Sequence, residues 1–297
     1  IRDGIEPRIV VASQIISLAE GKVVLVVRIN RSWFGPHRVI FKGHDKFYSR
    51  NSAGKFPLDT SELRNAFNLS QSLVEKINNF KSSRILDLTS DNTPIPFYDG
   101  GKIVLHIIPF ESFNPENNID MDKLKEAQPK MVPMKASGWS PKINLEGILS
   151  YSGGQDNRSH SYIQLYRNGI VEAVEGLTLS STREGKYIPS VGYESMLMQA
   201  LKSYMGIIKD LGVNPPIAIY LTFIGVKGYK LSSRNIMFDS DEDNVINKDI
   251  LNLPESIVET YDITPTAILR PIFDLVWNAC GFERSFNFNE KGEWIAK

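Results

Sequence analysis

Asn168-Gly169 separates two runs rich in β-forming residues, Ser161 to Arg167 and Ile170 to Glu175. Asn and Gly both tolerate positive φ, so this pair is the strongest short-range signal for a hairpin in the chain. Gly147 to Tyr151 reads as a further strand just before it. Between Gly192 and Leu211 the pattern changes period. Tyr193, Met196, Leu197, Ala200, Leu201, Tyr204, Ile207 and Ile208 follow helical spacing, and Gly212 closes the helix. Pro215-Pro216 forces extension before a strand from Ile217 to Val226. Thr264-Pro265 opens a last helix with Leu269, Ile272, Phe273, Val276, Trp277 and Cys280 inward.

The amino-terminal part is built differently. Ile9 to Ala19 and Lys22 to Ile29 are β-branched runs joined at Glu20-Gly21, which predicts another hairpin. His37 to Lys42 and Lys46 to Arg50 read as two short strands joined at Gly43-His44-Asp45. Asp59 and Glu62 form a capping box that starts a helix through Leu63, Ala66 and Phe67. A second helix is expected from Ser70 to about Leu88, with Leu73, Ile77 and Phe80 on one face. Lys102 to Phe110 is the most apolar strand, and the Pro-punctuated stretch from Glu111 to Pro141 suggests a domain boundary near residue 140.

The expected fold is α+β in two domains. The first is a small mixed sheet with a basic β-hairpin followed by helices, and the second an α/β sandwich-like domain. The divisions fall at residues 1–90, a strand and Pro-rich linker at 91–140, and a carboxy-terminal domain of unassigned role at 141–297. The chain opens on Ile1-Arg2-Asp3-Gly4 without a Met, which suggests that an upstream part precedes it.

Charge is distributed unevenly. The 297 residues carry no formal net charge, yet Lys22 to Lys55 holds eight Lys or Arg against the single acid Asp45, a local +7. Trp33, Phe34, Phe41, Phe47 and Tyr48 are interleaved with these bases. Cations mixed with aromatics are what a phosphate-gripping, base-stacking surface requires. Strand alternation is expected to gather Arg38, Lys42, Lys46, Tyr48 and Arg50 on one face. With Arg31, Trp33 and Lys55 these are the candidate nucleic-acid-binding residues. The acidic stretch Asp239 to Asp262 is a counterweight able to shield that face or meet a partner.

Several chemistries are not supported. The phosphate-loop pattern is absent, since Gly54-Lys55 lacks both the leading Gly and the trailing Ser or Thr. There is no GxSxG elbow and no recognisable pair of nuclease carboxylates. Ser152 to Asp156 could cradle an anion, although a plain loop explains it as well. His160 with Glu172 and Glu175 would make a metal cluster only if their side chains converged; His106 reads as a hydrogen-bonded core residue. No catalytic residue, metal ligand or cofactor is assigned. Cys280, the single cysteine, excludes a disulfide framework, fits a reducing cytoplasm, and lies on an apolar helical repeat that makes it a core residue. No apolar run reaches membrane-spanning length, so no membrane partner is expected.

Phe47-Tyr48-Ser49-Arg50-Asn51-Ser52-Ala53-Gly54-Lys55-Phe56-Pro57-Leu58-Asp59, followed by Glu62-Leu63, resembles the closing segment of the Schlafen AlbA-like domain. Ile1 to Ile9 is similar to the middle of that domain, and the likeness covers about residues 1 to 67. The remainder is similar to the long carboxy-terminal part of bacterial proteins that carry the domain. The resemblance implies binding of DNA or RNA, as in a bacterial regulatory or phage-defence factor. In the Schlafen branch it also implies metal-dependent cleavage of structured RNA such as tRNA. That alternative needs a divalent metal, and its carboxylates would come from an upstream part or from a partner chain. A second protein chain, or a copy of this one, is an open partner. Trp277, Phe282, Phe286 and Phe288 would mark a contact surface if exposed, and a core if buried.

Overall fold

The computed structural model describes residues 4–9, 11–18, 22–29, 35–51, 54–114, 117–154, 158–180, 185–232 and 244–296. The fold is α+β. By its contacts the chain divides into two compact units, Ile1–Phe80 and Lys81–Lys297.

In the first unit, β1 (Ile5–Glu6), β4 (Arg38–Phe41), β5 (His44–Asn51) and β6 (Gly54–Pro57) form a four-stranded sheet in that order. Every pairing in it is antiparallel, so the expected mixed sheet is corrected. β2 (Val11–Ser17) and β3 (Val23–Ile29) form a separate two-stranded ribbon. The helix α1 (Thr60–Thr89) starts at the expected capping box. Asp59 Oδ1 accepts from the backbone N–H groups of Ser61 and Glu62, and Glu62 Oε2 accepts from that of Asp59. Two helices were expected here and one is present. Residues 60–89 contain neither Gly nor Pro, so nothing in the backbone chemistry interrupts propagation. The Phe47 and Phe67 rings meet edge to face at 6.0 Å, which packs α1 onto one face of the four-stranded sheet.

The second unit is built on an eight-stranded sheet. Its path runs β15 (Ile250–Asn252), β13 (Ile217–Ile224), β7 (Lys102–Pro109), β11 (Val171–Glu175), β10 (Ser159–Tyr166), β9 (Gly147–Gly153) and β8 (Ser140–Ile143), and β16 (Ser256–Val258) also pairs with β13. All of these pairings are antiparallel. The contact division lies elsewhere than the boundary expected near residue 140. β7 lies at the centre of this sheet, bonded to β11 and β13, and the contact division falls at residue 80 instead. All eight residues of β7 are buried, so both of its faces are covered. The short β12 (Tyr187–Pro189) and β14 (Lys230–Ser232) pair in parallel outside the sheet.

The Asn168-Gly169 hairpin is present between β10 and β11. Its connection is Arg167-Asn168-Gly169, with Gly169 at φ +86, a conformation in which a side chain would be strained. One sheet face packs against α3 (Ser190–Asp210) and α4 (Pro265–Ala279) and buries Leu105, Ile107, Ile163, Leu197, Ile208 and Phe273. Each such side chain contributes roughly 1.5–3 kcal/mol on leaving water. Trp277 is fully buried and meets Phe282 and Phe286 edge to face, while Phe288 pairs with Trp294. Trp277 and Phe288 belong to the core, and the half-buried Phe282 and Phe286 pack against it. The short α2 (Met121–Ala127) buries Leu124 in the same core. The other sheet face buries Val104, Tyr162 and Val174 under Ile85 and Leu88, from the last turns of α1.

Candidate nucleic-acid interface

Register decides which cations share a face. β4 and β5 are joined by the two-residue turn Lys42-Gly43, with φ of 48 and 74, so Phe41 stands opposite His44. Arg38 then stands opposite Phe47, and Val39 opposite Lys46. Directly opposed residues of an antiparallel pair project from the same face, and neighbours along a strand from opposite faces. A change of one residue in the turn therefore moves Arg38 to the far side from Lys46.

Arg38 accordingly leaves the expected comb. It shares the face of Phe47 and is held by two carboxylates: Nη2 pairs with Glu6 Oε2, and Nη1 lies 3.2 Å from Asp45 Oδ2. Lys42 sits in the turn itself and belongs to neither ladder; its ammonium lies 5.4 Å from the Phe41 ring centre. Arg31 and Trp33 lie outside the described residues.

The remaining candidates do come together. His44, Lys46, Tyr48 and Arg50 alternate along β5 and face the same way. β6 adds Lys55, which stands directly opposite Arg50, and Pro57 opposite Tyr48. The Lys55 ammonium lies 5.3 Å from the centre of the Tyr48 ring, a cation–π contact. Lys46, Arg50 and Lys55 are exposed and make no ion pair among the described residues. Both described acids of this sheet, Glu6 and Asp45, lie on the other face with Arg38. The result is a face with three cations, a histidine and a tyrosine, and no carboxylate among the described strand residues.

The second unit holds a polar arrangement that the sequence did not disclose. Glu172 is fully buried on β11 and accepts four hydrogen bonds. Arg84 gives two, from Nε and Nη2 at 2.9 Å each; Tyr162 Oη gives one at 2.6 Å; His106 Nε2 gives one at 2.9 Å. A carboxylate cannot donate, so His106 Nε2 carries the hydrogen. Burial by itself would raise the Glu172 carboxyl, but the hydrogen bonds and charges of His106 and Arg84 prevail and hold it at about 2. Arg84 also pairs with Asp87 at 2.8 Å. A cleft of about 440 Å3 opens beside this network, lined among others by Arg84, Asp87, Lys142, Glu146, Gln164 and Tyr166. Both signs of charge line it, so it has no preference for an anion comparable with that of the β5–β6 face.

The expectation that His106 is a hydrogen-bonded core residue holds. A metal cluster of His160, Glu172 and Glu175 does not form. Glu172 and Glu175 are three apart on one strand and project from opposite faces, and the His160 ring stacks on Tyr98 at 4.5 Å. Cys280 is buried, and burial pushes its thiol up to about 11, as a core cysteine requires. Of the possible anion loop, Gln155 and Asp156 lie outside the described residues, as do Asp239 to Asp243 of the acidic stretch. No described helix is long and apolar enough to cross a membrane.

A second buried carboxylate ties the carboxy-terminal segment to α3. Glu194 accepts from Trp277 Nε1 at 2.7 Å, Asn287 Nδ2 at 2.9 Å, Ser285 Oγ at 3.0 Å and Tyr193 Oη at 3.1 Å. Burial still pushes its carboxyl up.

No protein-family model matches the chain, and no match is found among curated proteins or solved structures.

Proposed function

We propose that the chain binds nucleic acid, and that the β5–β6 face of the first unit is the contact surface. Lys46, Arg50 and Lys55 neutralise phosphates, and Tyr48 stacks on a base. His44 and the turn residue Lys42 extend the same edge with further donors. The supporting observation is how charge is sorted across the sheet. Glu6 and Asp45 are both consumed by Arg38 on one side, which leaves the other side cationic and without carboxylates among the described strand residues. A solvated face in a chain of zero net charge normally mixes signs, because directly opposed like charges destabilise a sheet. The likeness of Phe47 to Asp59 to the Schlafen AlbA-like domain points the same way. A face of this kind reads backbone charge first, and DNA and RNA both supply that.

Fluorescence anisotropy with labelled single-stranded and duplex oligonucleotides at low salt tests this reading. Lys46→Ala and Arg50→Ala each weaken binding about tenfold, the size of one charge-assisted contact. Binding unchanged by both substitutions together overturns the proposal.

A further inference from the structure

The β2–β3 ribbon exposes aliphatic side chains on both of its faces. Among the described residues its two strands pair only with each other. The register Ile15 opposite Leu25 and Ser13 opposite Val27 sorts its side chains into two unlike faces. One face carries Val11, Ile15, Val23, Leu25, Val27 and Ile29, broken only by Ser13 and Ser17. It has no charge among its described residues, and its large aliphatics reach exposures of 68% at Ile15 and 61% at Leu25. The other face carries Ile16, Val24 and Val26 together with Gln14 and Arg28.

An isolated two-stranded ribbon is marginal in water and needs a covering layer. The five exposed aliphatics of the Val11–Ile29 face, Ile15, Val23, Leu25, Val27 and Ile29, present on the order of 500 Å2 of surface. That lies at the upper end of the roughly 300–600 Å2 of a monomer's largest exposed patch, and it is more than half of the roughly 800 Å2 each partner gives to a standard interface.

We infer that the ribbon is a self-association surface: its uncharged face packs on the same face of a second copy of this chain. A two-fold contact places each residue against the same patch on the other copy, so any charge in the patch would meet its like. The Val11–Ile29 face has none to meet. Two such ribbons stacked about 10 Å apart make a small β-sandwich, with Ser13 and Ser17 the polar side chains among the described residues of its inner faces. Arg28 and Gln14 remain on the outer faces in water. The inference does not depend on nucleic-acid binding.

Sedimentation velocity of the full chain, in the absence of nucleic acid and over a concentration series, tests it. The expected result is a species of twice the 33.5 kDa chain mass. Leu25→Glu, on the uncharged face, shifts it to the single-chain mass. Val24→Glu, one residue along and on the outer face, leaves the dimer intact. Circular dichroism of both variants shows unchanged secondary structure. A wild-type chain that stays monomeric overturns the inference, as does a dimer that survives Leu25→Glu or is lost equally in both variants. Monomeric chain that floats with phosphatidylcholine–phosphatidylglycerol vesicles assigns the ribbon to a lipid surface and overturns it as well.

Discussion

Arg50 stands directly opposite Lys55 across the β5–β6 ladder, with both side chains on the face that holds no carboxylate among the described strand residues. Two cations at opposed positions cost a sheet stability, and a bound polyanion reverses that cost. Arg50→Thr therefore keeps or raises thermal stability, by up to about 1 kcal/mol, while weakening oligonucleotide binding. Melting curves with and without inorganic polyphosphate check both effects: the wild type gains more from the polyanion than the variant does.

Arg38→Ala separates the two faces of the sheet. It removes a cation of the same segment, but one already held by Glu6 and Asp45 on the far side. The pair is half exposed, so stability falls by no more than about 1 kcal/mol. Oligonucleotide affinity falls less than in Lys46→Ala. An equal fall in both variants would restore the register in which Arg38 and Lys46 share a face.

Glu172 makes the second unit sensitive to acid. Its folded carboxyl lies at about 2, below the ordinary 4.5, so its contribution is complete above about pH 4.5 and is lost as pH falls toward 2. The full difference is worth roughly 3 kcal/mol. Arg84→Met leaves a buried carboxylate without its counter-charge and lowers stability by about 3–5 kcal/mol near neutral pH. In that variant the acid-dependent loss also begins at higher pH, because burial then acts on Glu172 with less opposition. Denaturant titrations across a pH series read both.

Glu194→Leu removes the acceptor shared by Tyr193, Trp277, Ser285 and Asn287. Buried donors left without a partner cost about 1–3 kcal/mol each, so the second unit loses at least about 3 kcal/mol. Limited proteolysis then cuts in residues 282–296 before it cuts the sheet.

Local chemistry made much of this fold legible. The Asn168-Gly169 hairpin, the Asp59–Glu62 cap and the buried stripe of α3 all follow from residues within a few positions of one another. What was not legible depended on registers and long-range partners. Lys42 takes a left-handed φ usually left to Gly, Asn or Asp, so residue preference alone puts the turn one residue too late and Arg38 on the wrong face. The partnership of Arg84 with Glu172 spans 88 positions and carries no local signature. Glu172, set between Val171 and Ala173 on a strand that also carries Glu175, is the local hint that a counter-charge must lie nearby. The Pro residues between 115 and 141 marked irregular chain, but β7 ahead of them had already joined the sheet of the second unit.

The most direct measurement is the salt dependence of oligonucleotide affinity for the wild type, Lys46→Ala and Arg38→Ala. Log affinity should fall linearly with log salt, and Lys46→Ala should make the slope shallower by about 1, the equivalent of one phosphate contact. Arg38→Ala should leave the wild-type slope in place. A flat salt dependence in the wild type, or a slope lowered by Arg38→Ala and untouched by Lys46→Ala, would contradict the assignment of the β5–β6 face.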